Sequence, residues 1–192
     1  MKKIATFLVM LVVSITLMSA QGFKLDKVSV YSGLSALSSG LGAAINLKSE
    51  KSNLKIDFNA STAKILYTRK YGLFTFGPTG GTKSNTPWIA PIVMFHPNKH
   101  ICLTSWNGIY FGEPGTPDWD IKYGFAYQVV DLTFGNLEIG YSFLNYMEDK
   151  PMNLPTIKYL FEVGGNDRVQ TSFTYNMRDD APLFFVSWTH SI

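Results

Sequence analysis

The sequence predicts an all-β chain whose strands run up and down, antiparallel, into a closed barrel. Three observations predict it. Apolar and polar residues alternate with a period of two in segment after segment. Aromatic residues make up 15% of the 192 residues, and β-branched residues accompany them, as pleated surfaces favour. Connections between segments fall alternately into a short class and a generally longer class, as in a sheet that turns tightly at one end only.

The chain opens with Met1, Lys2 and Lys3, then an apolar run from Ile4 to Leu17, then Met18-Ser19-Ala20 before Gln21. A basic start, an apolar stretch and small residues are the layout of a secretory signal peptide. The run is shorter than the roughly 20 residues a membrane-spanning helix needs. Residues 1–20 are therefore expected to be cleaved, and residues 21–192 to form one barrel domain.

The strand segments follow in order. Leu41, Ala43, Ile45 and Leu47 alternate with Gly42, Ala44, Asn46 and Lys48, and Leu54, Ile56 and Phe58 with Lys55, Asp57 and Asn59. Residues 27–48 read either as one long strand or as a hairpin turning at Leu37-Ser38-Ser39-Gly40. Residues 63–78 read either as one strand or as a hairpin turning at Tyr71-Gly72. From Trp88 onward seven strands are expected. Ile121, Tyr123, Phe125, Tyr127 and Val129 alternate with Lys122, Gly124, Ala126, Gln128 and Val130. Leu137, Ile139, Tyr141 and Phe143 alternate with Glu138, Gly140 and Ser142. Ile157, Tyr159, Phe161 and Val163 stand against Lys158, Leu160 and Glu162. Val169, Thr171, Phe173, Tyr175 and Met177 oppose an entirely polar set that includes Arg168 and Gln170. Phe184, Val186, Trp188 and Ile192 line the last strand, interrupted by His190. The total is expected to be about ten strands, within a range of 8–12.

Short connections are expected at His96-Pro97-Asn98-Lys99, at residues 131–136 and at Gly164-Gly165-Asn166-Asp167. Longer ones are expected at residues 79–86, 112–119 and 148–155, with a shorter one at 178–181.

Alternation alone does not say which face points inward. Large aromatics crowd one face of most segments, while the other mixes charge with Gly, Ala, Ser, Thr and Gln. A lipid-facing wall suits the first and a narrow lumen the second, and in lipid only a closed barrel satisfies every strand's backbone. On that reading Tyr123, Tyr127, Tyr141, Phe143, Tyr159, Tyr175 and Trp188 are girdle candidates. Lys122, Gln128, Glu138, Lys158, Glu162, Arg168 and Gln170 are the expected interior polar network, because charge in a narrow barrel must pair or meet water.

The mature chain resembles small bacterial outer-membrane β-barrel proteins at the level of architecture. The resemblance implies residence in the outer membrane of a Gram-negative bacterium, contact with its lipid, and assembly by the barrel-assembly machinery through a last strand like Phe184, Val186, Trp188 and Ile192.

Composition excludes several classes. The formal charge is +3, and without Lys2 and Lys3 it falls to 15 basic against 14 acidic residues, too balanced for a binder driven by phosphate neutralisation. One cysteine, Cys102, leaves no intramolecular disulfide and no all-cysteine metal site. His96 and His100 flank one turn without a neighbouring carboxylate, and Ser187 and His190 point to opposite faces of a strand. Glu113, Asp118 and Asp120 lack the spacing of a calcium loop and read as a solvated acidic loop, as do Asp179 and Asp180. No catalytic set, cofactor or metal is expected. The expected role is structural or surface-interactive through extracellular loops. The alternatives are a channel for small solutes or hydrophobic compounds, and a soluble barrel that binds an apolar ligand.

Overall fold

A computed structural model describes residues 22–35, 39–60, 62–83, 86–113, 116–146 and 151–192, except the side chains of 34, 35, 39, 113, 116–123 and 146. The expected signal segment lies outside the described residues.

Twelve strands close a barrel: β1 (Lys24–Ser35), β2 (Ser39–Lys48), β3 (Ser52–Asn59), β4 (Thr62–Tyr71), β5 (Phe74–Lys83), β6 (Thr86–Asn98), β7 (Ile101–Glu113), β8 (Thr116–Phe134), β9 (Leu137–Tyr146), β10 (Met152–Gly164), β11 (Asp167–Asn176) and β12 (Ala181–Ser191). Each strand pairs with its sequence neighbours, and β12 returns to β1 with Val30 opposite Trp188. Every pairing is antiparallel, so backbone groups are satisfied around the whole wall and no edge is left over.

The count is twelve, within the expected range. Both early ambiguities resolve as hairpins, β1–β2 and β4–β5, the second turning at Gly72, whose φ of 59° suits glycine. The expected longer connections contract. β5 runs to Lys83 and β6 begins at Thr86, while β7 runs to Glu113 and β8 begins at Thr116, leaving two residues in each gap. Strand pairing continues through segments rich in Gly, Pro and Thr, because a ladder needs backbone geometry more than β-favouring side chains. Glu113, Asp118 and Asp120 thus belong to β7 and β8, and their side chains lie outside the described set.

Register separates the two faces. Contacts between non-adjacent strands identify the inside. The Lys64 ammonium of β4 lies 4.8 Å from the Trp106 ring of β7, and the Tyr31 hydroxyl of β1 donates to Asp57 of β3. The outside is apolar. Its aromatics gather near the short-turn end in stacked or edge-on pairs: Tyr71 with Phe76 at 4.8 Å, Phe74 with Phe95 at 4.9 Å, His100 with Phe134 at 6.3 Å and Tyr159 with Phe161 at 4.7 Å. Trp188 stacks on His190, which bonds Asp167 at 2.9 Å. The histidine that interrupts the last apolar face therefore sits at the barrel's rim with a carboxylate beside it.

One strand is reversed relative to expectation. In β8, Phe125 and Tyr127 point inward, and Gln128 points outward, opposite Ser105 on one side and Phe143 on the other. The reason is Asp131. It shares the parity of Tyr127, and its carboxylate needs the cation of Lys158, which lies inside. A charge on a lipid-facing wall costs more than moving several rings indoors.

Candidate functional site in the barrel lumen

The lumen has two unlike walls. On β11, β12 and β1 many inward residues are small and hydroxylated, set among the larger Tyr31, Phe185, Arg168 and Gln170. Ser29 and Thr189 share a hydrogen bond of 2.8 Å, and Thr174 bonds Thr156 of β10 at 2.9 Å. On β6, β7 and β8 they are large. Trp88, Trp106, Tyr110, Phe125 and Tyr127 form a continuous aromatic surface, with Trp88 and Phe125 edge-on at 5.7 Å and Trp106 and Tyr127 edge-on at 5.4 Å. Glycine makes the close approach feasible. A Cβ at Gly108 would lie 2.5 Å from the Phe125 ring, so only glycine lets Phe125 cross β7 and reach Trp88. Gly42 plays the same part beneath the Tyr31 ring, which passes over β2 to Asp57.

Space remains between the walls. A cavity of about 450 Å3 lies at the end opposite the short turns, bounded by the aromatic surface and by Tyr31, Asp57 and Lys64. Phe185 points inward over Gly33 yet stays 39% exposed, so the space beside it is unfilled.

Charge inside the barrel falls in two groups. Near the cavity, Asp57 accepts from Tyr31 and lies 3.2 Å from Lys55. Lys64 stands directly opposite Asp57 in register, but its ammonium rests over Trp106, and among the described residues it makes no ion pair. The Trp106 indole N–H is buried and has no acceptor among the described residues.

The second group lies toward the short turns. Lys158 of β10 bonds Glu138 of β9, its cross-strand partner, and stands 3.5 Å from Asp131 of β8. Its side chain is 29% exposed, between those of Asp131 and Glu138 at 22% and 32%, so the group is neither dry nor fully solvated. Glu162 and Arg168 face each other across β10 and β11 at 3.8 Å and are more open. Gln170 lies on the same face, between Leu160 and Ser187 in register. The structure thus brings Glu138 and Lys158 together, pairs Glu162 with Arg168, places Gln170 inside and Gln128 outside. Lys122 lies in β8 among the residues whose side chains are not described.

Sequence reasoning missed Asp57, Lys64, Asp131 and the inward aromatics. Asp57 carried a signal, since it shares the polar face of an alternating strand with Lys55. Cys102 faces inward, half-buried, with its Sγ 3.9 Å from the His96 ring, while His100 bonds the Thr133 carbonyl at 2.9 Å. The two histidines therefore have separate partners. At the opposite rim, Asp179 is bonded by Arg178 at 3.0 Å and by Asn176 at 2.6 Å, and the guanidinium holds its carboxyl below the usual range.

Twelve consecutive strands closing on themselves around an open, partly charged lumen decide the comparison. The fold is that of outer-membrane porins. Solved structures of the KdgM porin superpose with a TM-score of 0.62 at 11% identity, covering 86% of this chain and 99% of that one. One of them is described as a complex with disordered oligogalacturonate. The NanC porin gives 0.62 at 8% identity, covering 86% of this chain and all of the other. The outer membrane protein Omp33 of Acinetobacter baumannii gives 0.51 at 8% identity, covering 89% and 99%. No protein-family model and no curated protein matches the sequence.

Proposed function

We propose that the chain is an outer-membrane channel that passes small solutes through its lumen. The observation that carries this reading is the unfilled lumen itself, a cavity of about 450 Å3 inside a barrel whose outer face is apolar and ringed with aromatics. Most strands have 10–13 residues, enough for the roughly 9–11 that a tilted membrane strand requires. Twelve strands also give a wider lumen than the eight-stranded barrels that side chains can fill. The likeness in fold to porins supports the same reading.

Two other readings are weaker. A surface-interaction role needs substantial loops, and the strands at the far rim leave only two to five residues between them. A soluble barrel needs a polar exterior, whereas Phe74, Phe76, Phe134 and Phe161 are exposed on this one. In the proposed setting the outward Phe184, Val186 and Trp188 of β12 also present the apolar face that barrel-assembly machinery would read.

Purified protein added to a planar bilayer tests the proposal. Discrete conductance steps in potassium chloride, from protein recovered in the outer-membrane fraction and showing heat-dependent gel mobility, are expected. Folded protein that inserts without conductance would overturn the channel. Recovery in the soluble fraction would overturn the membrane setting as well.

A further inference from the structure

We propose that the cavity at the far end of the lumen is a binding site for a monocyclic aromatic carboxylate. This deepens the channel reading and rests on it for how the ligand arrives.

Three features converge. The first is shape and surface. Trp88, Trp106, Phe125 and Tyr127 present adjoining rings packed edge-on, and such a surface accepts one further flat ring by the same geometry. The second is charge. Lys64 is opposite Asp57, but that carboxylate is engaged by Tyr31 and Lys55, and the ammonium rests over an indole ring instead. A ring face is a weaker partner for an ammonium than a carboxylate, so an entering anion gains a charge-assisted hydrogen bond without breaking an existing ion pair. The third is the shortage of acid. Among the described lining residues the acid is Asp57 alone, already engaged by Tyr31 and Lys55, so an organic cation finds no open carboxylate there. A volume of about 450 Å3 has ample room for a single ring with its substituent. A sugar acid would find the cation and, in Asn59, Thr62 and Thr82, some hydroxyl partners, but it lacks the flat ring that the aromatic surface packs against.

Calorimetry with sodium benzoate, benzyl alcohol and sodium glucuronate on the folded, detergent-solubilised protein tests the inference. Benzoate is expected to bind saturably, and each of the other two about tenfold more weakly or worse. K64Q is expected to reduce benzoate affinity by about tenfold, and K64R to retain most of it. The ligand comparison on the unaltered chain decides the matter even if a variant fails to fold. Absence of saturable benzoate binding would overturn the inference, as would benzyl alcohol binding equally well, glucuronate binding more tightly, or K64Q binding unchanged. Conductance in potassium chloride is measured on the same preparation. A conducting barrel that ignores benzoate fails only this inference, whereas a benzoate-binding barrel that never conducts fails only the channel.

Discussion

Lys158 stands 3.5 Å from Asp131, two strands away, while also bonding its cross-strand partner Glu138. One cation thus ties three adjacent strands together on the inner face. Removing it leaves two carboxylates facing each other in a half-buried site. Lys158→Met is expected to lower folding stability by about 1–3 kcal/mol, less than for a dry ion pair because all three groups keep some solvent. Urea unfolding in detergent, followed by loss of the heat-modifiable band, measures it. Glu138→Gln should cost less, since Asp131 still holds the cation.

Gln128 provides a test of which face of β8 meets lipid. It is exposed on the outer wall between Ser105 and Phe143. Gln128→Leu should leave stability unchanged or raise it, and Gln128→Arg should lower it by about 2–4 kcal/mol near the bilayer midplane. Were Gln128 in the lumen, the arginine would be tolerated and the leucine would gain nothing. Reversible urea unfolding from lipid vesicles distinguishes the two.

Gly108 permits the aromatic wall. Gly108→Ala places a methyl carbon 2.5 Å from the Phe125 ring and 2.7 Å from Ala90. The ring must swing away from Trp88, and about 1–3 kcal/mol of stability should be lost through overpacking. Single-channel conductance should change as well, because the displaced ring moves into the lumen. An unchanged current with unchanged stability would remove Phe125 from the cavity wall.

Lys64 should govern ion preference. Reversing its sign in Lys64→Glu places two acids side by side opposite the aromatic wall. The reversal potential in a potassium chloride gradient should shift toward cations relative to the unaltered channel. A potential that does not move would put the conducting path elsewhere in the lumen.

Much of the fold was legible in the sequence because alternation is a local property. In β9 to β12 the apolar residues Ile139, Ile157, Phe173 and Trp188 are all outward, as the pattern implies. Strand ends were harder to place. Segments such as Gly80-Gly81-Thr82-Lys83 look like loops, yet register pairs each of them with β6. The reversed strand was the deeper problem. Phe125 and Tyr127 outweigh Asp131 in any local count of hydrophobicity, but one carboxylate with a distant lysine outweighs them energetically. That pairing joins residues 27 positions apart in the chain, and nothing within β8 announces it. The cavity escaped notice for the same reason, since Lys64 and Trp106 meet only once β5 and β6 have been wrapped between them.

The contrast between the two lumen walls has a practical consequence for resizing the aperture. Along β11, β12 and β1, shortening a serine or threonine frees almost no room. On the opposite side each ring is a removable plug. Trimming Trp88 or Tyr127 would enlarge the bore, and the strand ladders that hold the cylinder closed would be untouched. Calibre is therefore adjustable from three of the twelve strands, one quarter of the circumference.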